Sequence, residues 1–369
     1  KFCAEKTGFY VKEISTAPFS ALFSDEIFAE CVDELDDEDF VIIFDFGAST
    51  LDICLIRITN DDDDISVETL SSAGLSFGGK DITDLITEYL MDKYSDIADE
   101  VIQSGRLDEE SKLVTFFDYA ENLKNELYEE EDTPEAQDKF YGAKMVLKRT
   151  NLDKILDSVG IWNKIVKAIS DMFDSTDEFD SDDLSIVSKV VMTGGTSKIQ
   201  YFRDKVEKLF DNAQIVGDLE EDDTTYCSVS SGAVNFAKQN NITIKNSSPM
   251  CIGIEIGNGF EKALNRNSIY NVAGKRKQIS RNWLNKNNWK IKLYQTLESV
   301  REHADTNNEN ILYSGYIQLN KELYSTGKDD IIIQLKFTRQ GIVATTACDG
   351  DIRNIIEDNI ILKSEVKYE

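Results

Sequence analysis

Imidazole is almost missing from this sequence, and positive charge falls well short of negative. One of its 369 residues is histidine, His303, and 40 Lys and Arg stand against 69 Asp and Glu, a formal net charge of −29. A single imidazole rules out histidine-rich metal sites and nearly all histidine-based catalysis, leaving a lone-His scheme at most. The acidity argues against a general DNA or RNA binder, which gains most of its affinity from Lys and Arg on phosphates. It argues equally against docking on anionic lipid. No apolar run approaches the ~18 residues of a membrane span. The 6 cysteines (Cys3, Cys31, Cys54, Cys227, Cys251, Cys348) form no C-x-x-C pair. That spacing excludes a zinc ribbon or a thioredoxin motif and points to reduced, mostly buried thiols.

The hydrophobic fraction of 41% is enough for packed cores, so the acidity rides on a globular chain. Length over roughly 150 residues per domain gives about two to three domains. The chain begins at Lys1, and Ala4–Leu22 already reads as structured, so we expect a preceding part. Phe40–Ala48 (FVIIFDFGA) is a continuous apolar run ending at Gly, the pattern of a buried strand entering a tight turn. Leu51–Ile58 reads as a second strand and Ile65–Leu70 as a third. The acidic run 61–64 between them reads as a turn. After SFGGKD comes an amphipathic helix carrying Ile82, Leu85, Ile86 and Tyr89. Ser111–Tyr128 is helical, broken at Glu129–Asp132 and Pro134. Leu152 to Phe173 marks one or two more helices, and an acidic loop spans Asp174–Asp183. Ile186–Thr193 is again a strand, closed by Gly194-Gly195. A helix is expected from Ser197, with Thr196 or Ser197 as its cap. Strands alternating with helices make residues 1–238 an α/β unit.

Composition then changes. Residues 239–248 suit a linker or an extended segment. Beyond them apolar residues alternate with period two, as at Trp289, Ile291 and Leu293 and at Ile331, Ile333, Leu335 and Phe337. Arg339-Gln340-Gly341 reads as a hairpin turn. Residues 249–348 are therefore expected to form an all-β sandwich, with 349–369 a short charged tail.

Two glycine turns at strand ends carry the chemistry. In Asp45-Phe46-Gly47-Ala48-Ser49-Thr50-Leu51-Asp52, an acid leaving a buried strand can hold Mg²⁺ through water. Backbone N–H groups and the Ser49 and Thr50 hydroxyls can cradle a phosphate. The second turn, Thr193-Gly194-Gly195-Thr196-Ser197-Lys198, opens a helix whose free N–H groups suit an anion. Alone, each is an ordinary strand turn; together in one α/β block they point to a nucleotide site.

These segments, in this order, resemble the heat shock protein 70 family of DnaK-type chaperones. VIIFDFGASTLDICLI is similar to a phosphate motif of that family, and LSFGGKDITDLI to its Leu-Gly-Gly-Glu-Asp-Phe-Asp segment. ENLKNEL resembles its adenosine helix and VVMTGGTSKIQYF its adenosine turn. SVSSGAVNFA resembles the close of its ATPase domain, and PMCIGIEIGNG the opening of its β-sandwich. The resemblance implies an actin-like ATPase lobe with a ribonuclease H-like sheet, followed by a peptide-binding sandwich. It implies ATP/ADP and Mg²⁺ as ligands, with Asp45 as the catalytic, metal-linked aspartate. Gly47, Ala48, Ser49 and Thr50 match the phosphate turn, Gly79 a glycine near the nucleotide, and Glu121 and Lys124 the ribose- and adenine-side pair. Gly194, Gly195, Thr196 and Lys198 match the adenosine turn. Ile254, Ile256, Phe260, Ile279, Trp289 and Ile291 fall where the family lines its groove for extended apolar peptides; their alternative is sandwich core. Implied partners are unfolded hydrophobic polypeptides, a J-domain co-chaperone and a nucleotide-exchange factor. No nucleic-acid or membrane partner is expected. Free thiols make a cytoplasmic setting the default, and an endoplasmic-reticulum one stays open. Asn241 and Asn246 sit in glycosylation tripeptides that carry little weight.

The departures bear on activity. Ala17 replaces a family glutamate near Mg²⁺, and Ala48 and Ser49 replace glycines. A positive φ at either would cost on the order of 1 kcal/mol. Lys198 replaces an arginine over the adenine face, losing planar stacking. Tyr226 replaces an aspartate, and NITIK an acidic, Leu-rich linker. The family's first lobe, with its catalytic lysine, and its helical lid have no counterpart in the sequence. Two readings follow: an ATP-dependent chaperone given as a fragment, or a degenerate member that binds without turnover. A sugar or acetate kinase of the same superfamily is disfavoured by the β-rich C-terminal part.

Overall fold

The structure, a computed structural model, describes residues 6–8, 16–32, 38–61, 64–129, 133–176, 184–217, 224–238, 242–245, 251–256, 259–265, 268, 273–274, 276–296, 303–305, 311–319, 330–338, 341–348, 351–360 and 363–364. For parts of the later strands only the backbone is described.

The apolar run forms β1 (Glu38–Phe46), followed by β2 (Leu51–Asp61) and β3 (Asp64–Leu75). These pair antiparallel in sequence order. On the other side of β1 lie β6 (Val187–Thr193) and then β7 (Gln214–Val216), both running parallel. Side chains alternate along β1. Ile42, Phe44 and Phe46 enter one apolar cluster, Val41 and Ile43 another. Both faces are covered, which is why the run reads as continuously apolar rather than alternating.

The first cluster holds α3 (Gly79–Lys93), α5 (Lys112–Glu129), α6 (Arg149–Ser158), α7 (Ile161–Asp174) and α8 (Gln200–Leu209). Between α3 and α5 runs α4 (Ser95–Gln103). On the opposite face sit α1 (Ala17–Leu22), α2 (Asp25–Val32) and α9 (Thr224–Lys238). Helix α1 carries Pro18 as its second residue, and the fixed φ of proline suits a first helical turn. Rings fasten this layer: Phe236 of α9 lies 5.8 Å from Phe19 and 5.2 Å from Phe23, centroid to centroid.

Several expectations change. A hairpin of β4 (Glu135–Phe140) and β5 (Ala143–Lys148) follows Pro134, where the sequence showed only a break. The helix expected from Ser197 begins at Gln200. Residues Gly195–Lys198 form a tighter 3₁₀ turn, and Ile199 is the helix cap. The segment expected as a linker carries β8 (Ile242–Lys245), which adds in parallel to β3 with Ile65 beside Ile242 and Glu68 beside Lys245. Glu68 is buried and takes a 2.7 Å ion pair from Arg57.

The later part has two antiparallel sheets. One contains β9 (Cys251–Ile256), β10 (Gly259–Leu264), β12 (Lys290–Thr296), β13 (His303–Asp305), β14 (Ile311–Gln318) and β18 (Lys363–Ser364). The other contains β11 (Lys277–Ile279), β15 (Ile331–Thr338), β16 (Gly341–Cys348) and β17 (Asp351–Ile360). Residues of both sheets close on one apolar cluster, Ile252, Ile254 and Leu293 meeting Ile331, Ile333 and Leu335. A short helix, α10 (Arg281–Lys286), interrupts the strands. The expected charged tail after residue 348 contributes β17 and β18, so the β unit runs past that boundary. Arg339, Gln340, Asn241 and Asn246 lie outside the described residues, as does most of the expected acidic loop.

Among the described cysteines, Cys31, Cys54 and Cys251 are buried and Cys227 is exposed, all as free thiols. Burial pushes the Cys54 thiol up to about 12. Among the described residues no helix is long and apolar enough to cross a membrane. Because Phe236 joins α9 to α1, Phe236→Ala should cost about 3 kcal/mol and Phe236→Leu less than about 1.5 kcal/mol, read by chemical denaturation. Equal losses would show that ring packing does not hold this layer.

Candidate functional site

The sheet ends its central strands, β1 and β6, side by side, with Asp45 opposite Thr193. The two glycine turns therefore leave from adjacent points, and they touch. The Thr196 hydroxyl donates to the Gly47 carbonyl at 2.8 Å, and the Gly79 N–H donates to the same oxygen at 3.1 Å. The next carbonyl, Ala48, accepts from the Lys80 N–H at 2.8 Å. The first amides of α3 thus hold the loop 47–50 instead of facing a ligand. Within that loop the Gly47 N–H closes on the Thr50 carbonyl at 2.9 Å.

Gly194 makes the approach possible. Its φ is +84°, and a Cβ there would lie 2.4 Å from the Phe46 carbonyl oxygen and 3.1 Å from Asp45 Oδ1. Backbone and carboxylate need that space. Gly78 was not singled out from the sequence, yet a Cβ on it would come within 2.5 Å of the Ala48 carbonyl. The doubled glycine in SFGGKD was its signal. Ala48 and Ser49 create no strain, because among the described residues other than glycine only Tyr141, Asn288 and Trp289 have positive φ.

Asp45 is part-buried, and Asp52 is its cross-strand neighbour on β2. Burial, and then the charge of Asp52, push the Asp45 carboxyl above its ordinary range. The Thr50 hydroxyl donates to Asp52 at 3.1 Å. Two crowded carboxylates beside a hydroxyl-bearing turn are hard oxygen donors of the kind a divalent cation takes. Among the described residues no group of three or more ligating side chains converges, so an ion here would need most of its ligands from water or phosphate.

Helix α5 brings the next pair. Lys124 is 6% exposed and its ammonium donates to Gly79 O at 3.2 Å, Thr83 Oγ1 at 2.7 Å and Glu121 Oε2 at 2.6 Å. The Thr83 proton serves either the Gly79 carbonyl or Glu121. Burial raises the Glu121 carboxyl, but the hydrogen bonds from Lys124 and Thr83 outweigh it and hold it below its ordinary range. Lys124 thereby ties α5 to the Gly79 turn, while the Glu121 side chain stays 40% exposed.

Gly47, Gly79, Glu121, Lys124 and Thr196 thus form one bonded cluster, with Asp45 and Gly194 close beside it and Ala48, Ser49, Thr50, Gly195 and Lys198 on its turns. Asp52, Gly78 and Thr83 join it without having been assigned a role from the sequence. The residues expected to line a peptide groove lie elsewhere and differently. Ile254, Ile279 and Ile291 are fully buried and Trp289 is 5% exposed, all in the core between the β sheets. Period-two alternation marks an inward face, and here that face is sealed by the opposite sheet. Ile256 and Phe260 sit on β9 and β10, with side chains outside the described residues.

A sheet ordered β7-β6-β1-β2-β3 with only β2 reversed, helices on both faces and paired turns at the carboxyl ends of its central strands belongs to the actin-like ATPase fold class. A family profile described as Hsp70 protein matches residues 28–367. The chain belongs to the Hsp70 family. It is similar to a protein named Chaperone protein DnaK from Thermoplasma volcanium, 26% identical over 208 residues, covering 54% of this chain and 31% of that relative. A protein of the same name from Stenotrophomonas maltophilia is 24% identical over 272 residues, covering 71% and 40%. The chain thus spans about a third to two-fifths of the length of these relatives.

Gly194→Ala must both strain φ and displace a carbonyl. We expect a loss of roughly 1–3 kcal/mol or more in denaturant midpoint analysis; an unchanged midpoint would show that the two turns do not meet as described. A carboxyl whose pKa is raised by folding destabilises the native state at neutral pH, and the penalty fades as pH falls through that raised value. Asp45→Asn should therefore raise the thermal midpoint at pH 7 and have less effect at pH 4. A lower midpoint at pH 7 would mean that Asp45 stabilises the fold.

Proposed function

We propose that the chain is the nucleotide-binding and β-sheet part of an ATP-dependent chaperone of the Hsp70 type. The observation that carries this is the contact between the Gly47 and Gly194 turns beside Asp45. Phosphoryl chemistry depends on backbone donors and carboxylates fixed before the ligand arrives, so that no reorganisation is needed. Here Thr196, Gly79 and Lys80 fix the loop 47–50, and Gly194 lets Asp45 come close. The loop hydroxyls of Ser49 and Thr50 are exposed towards an anion. Glu121 offers a partly exposed carboxylate to ribose hydroxyls, and Lys124 holds it in place. Asp45, with Asp52 behind it, holds Mg²⁺ through water; the ion, when bound, offsets phosphate charge.

The two-sheet unit is proposed to take extended apolar segments of unfolded polypeptides, with ATP binding and hydrolysis controlling their release. J-domain and exchange partners and a cytoplasmic setting belong to the same proposal. Calorimetric titration of the chain with ATP in Mg²⁺ should show saturable, metal-dependent binding. Asp45→Asn should weaken it at least about tenfold, a loss of ~1.4 kcal/mol. Absence of Mg²⁺-dependent binding would defeat the proposal. Binding without turnover, followed by phosphate release, would select the non-hydrolysing reading.

A further inference from the structure

The acidity of the chain is unevenly spread. Residues 1–238 carry 54 Asp and Glu against 22 Lys and Arg, whereas residues 239–369 carry 15 against 18. Within the second part, Lys262–Leu297 holds 9 Lys and Arg and no acidic residue, where the chain's average would place about 7. Exposed charges farther apart than about 8 Å are largely screened at physiological salt, so a ligand at this stretch meets its local charge rather than the net −29. The excess of acid that argues against nucleic acid for the whole chain is a property of its α/β part.

Strand β12 turns some of this positive charge to one face. Its Ile291 and Leu293 are fully buried between the sheets, so alternation sends Lys290 and Lys292 outward, where both are exposed. The register is fixed where the strand begins. The Trp289 N–H donates to the Leu284 carbonyl at 2.8 Å, and the Leu319 N–H to the Trp289 carbonyl at 2.9 Å. On the neighbouring β14, Tyr316 stands opposite Lys292. Tyr316 is 55% exposed, and the Lys290 ammonium lies 4.5 Å from its ring centroid. Among the described residues neither lysine pairs with a carboxylate, whereas Lys277 of the same acid-free stretch is taken by Glu261 at 3.1 Å. Glu255 is a counter-charge on this face. It follows Ile254, which is buried and pairs with Leu293.

We propose that this outer sheet face binds single-stranded nucleic acid, Lys290 and Lys292 meeting phosphates and Tyr316 stacking a base. Unpaired lysines around an exposed ring are the two components such binding uses: charge that follows the backbone, and a platform for the π-face of any base. The ring is what selects this occupant. An acidic polypeptide uses the charge alone, and a duplex keeps its bases stacked inside. The face belongs to the β unit, so the proposal does not rest on nucleotide binding at the Gly47 and Gly194 turns.

The test follows the fluorescence anisotropy of a labelled oligothymidylate of about 12 nucleotides with the full chain, spanning most of the 4–16 nucleotides of known single-strand sites. Saturable binding with a Kd below about 100 μM is expected at low salt. Tyr316→Ala should weaken it about tenfold and Tyr316→Phe should restore it, since stacking needs only the ring. An abasic strand of the same length keeps the phosphates and lacks the bases. It should bind the parent about tenfold more weakly than oligothymidylate and be indifferent to Tyr316→Ala. Replacing Lys290 and Lys292 together by Gln should lower the slope of log K against log salt by about 1.4, two phosphate contacts on a single strand. Glu255→Gln should tighten binding. All these side chains are half-exposed or exposed, and an unchanged thermal midpoint confirms that each variant folds. No saturation by about 1 mM, a folded Tyr316→Ala variant binding as tightly as the parent, or equal affinity for the abasic strand overturns the proposal. Displacement of the oligonucleotide by an equal charge of oligo-glutamate at the same concentration overturns it in favour of an acidic polypeptide.

Discussion

One carbonyl oxygen organises the α/β half of this protein. Gly47 O receives the Thr196 hydroxyl from one turn and the Gly79 N–H from another segment, so three stretches distant in sequence meet at a single acceptor. Charge-free bonds of this kind are modest one at a time. Their value here is positional. They make the loop after β1, the start of α3 and the turn after β6 one object, and Lys124 fastens α5 to it. The site is assembled from backbone, and its few charged side chains are added at the margin.

That division bears on the acidity of the chain. A protein of net charge −29 repels a free polyphosphate at long range. Asp45 and Asp52 intensify this at the site itself, since they face each other across β1 and β2. The same repulsion that burdens the folded carboxyl is what a divalent cation would relieve. On the proposed reading, stability and ligand affinity are therefore opposed at Asp45, as is usual where function requires like charges to be held together.

Much of this was legible in the sequence, for identifiable reasons. FVIIFDFGA announces a strand covered on both faces, and β1 is one. The glycines of Thr193–Lys198 and Asp45–Asp52 announce turns, and the structure puts them in contact. What was not legible depended on partners distant in sequence. Glu135–Phe140 and Ala143–Lys148 are too charged to alternate cleanly, yet they pair with each other and cover one face. The start of α8 slipped from Ser197 to Gln200 because the glycine turn continues as a 3₁₀ turn. Strand Asp351–Ile360 looked like a charged tail until β16 supplied its ladder. Ile254, Ile279, Trp289 and Ile291 show the limit of pattern reading: alternation marks an inward face without saying whether another sheet or a peptide covers it.

The pairing of β8 with β3 has a consequence for the life of the chain in a crowded solution. A sheet is vulnerable at its rims, where unpaired amides and carbonyls invite strands from other molecules. Here the outermost strands are the short β7 and β8, of 3 and 4 residues, and β8 shields part of the 12-residue β3. Were the segment leading to the two-sheet unit to peel away, β3 would present that stretch as a template for foreign strands. The bonds that seat this crossing segment are thus also a guard against self-association.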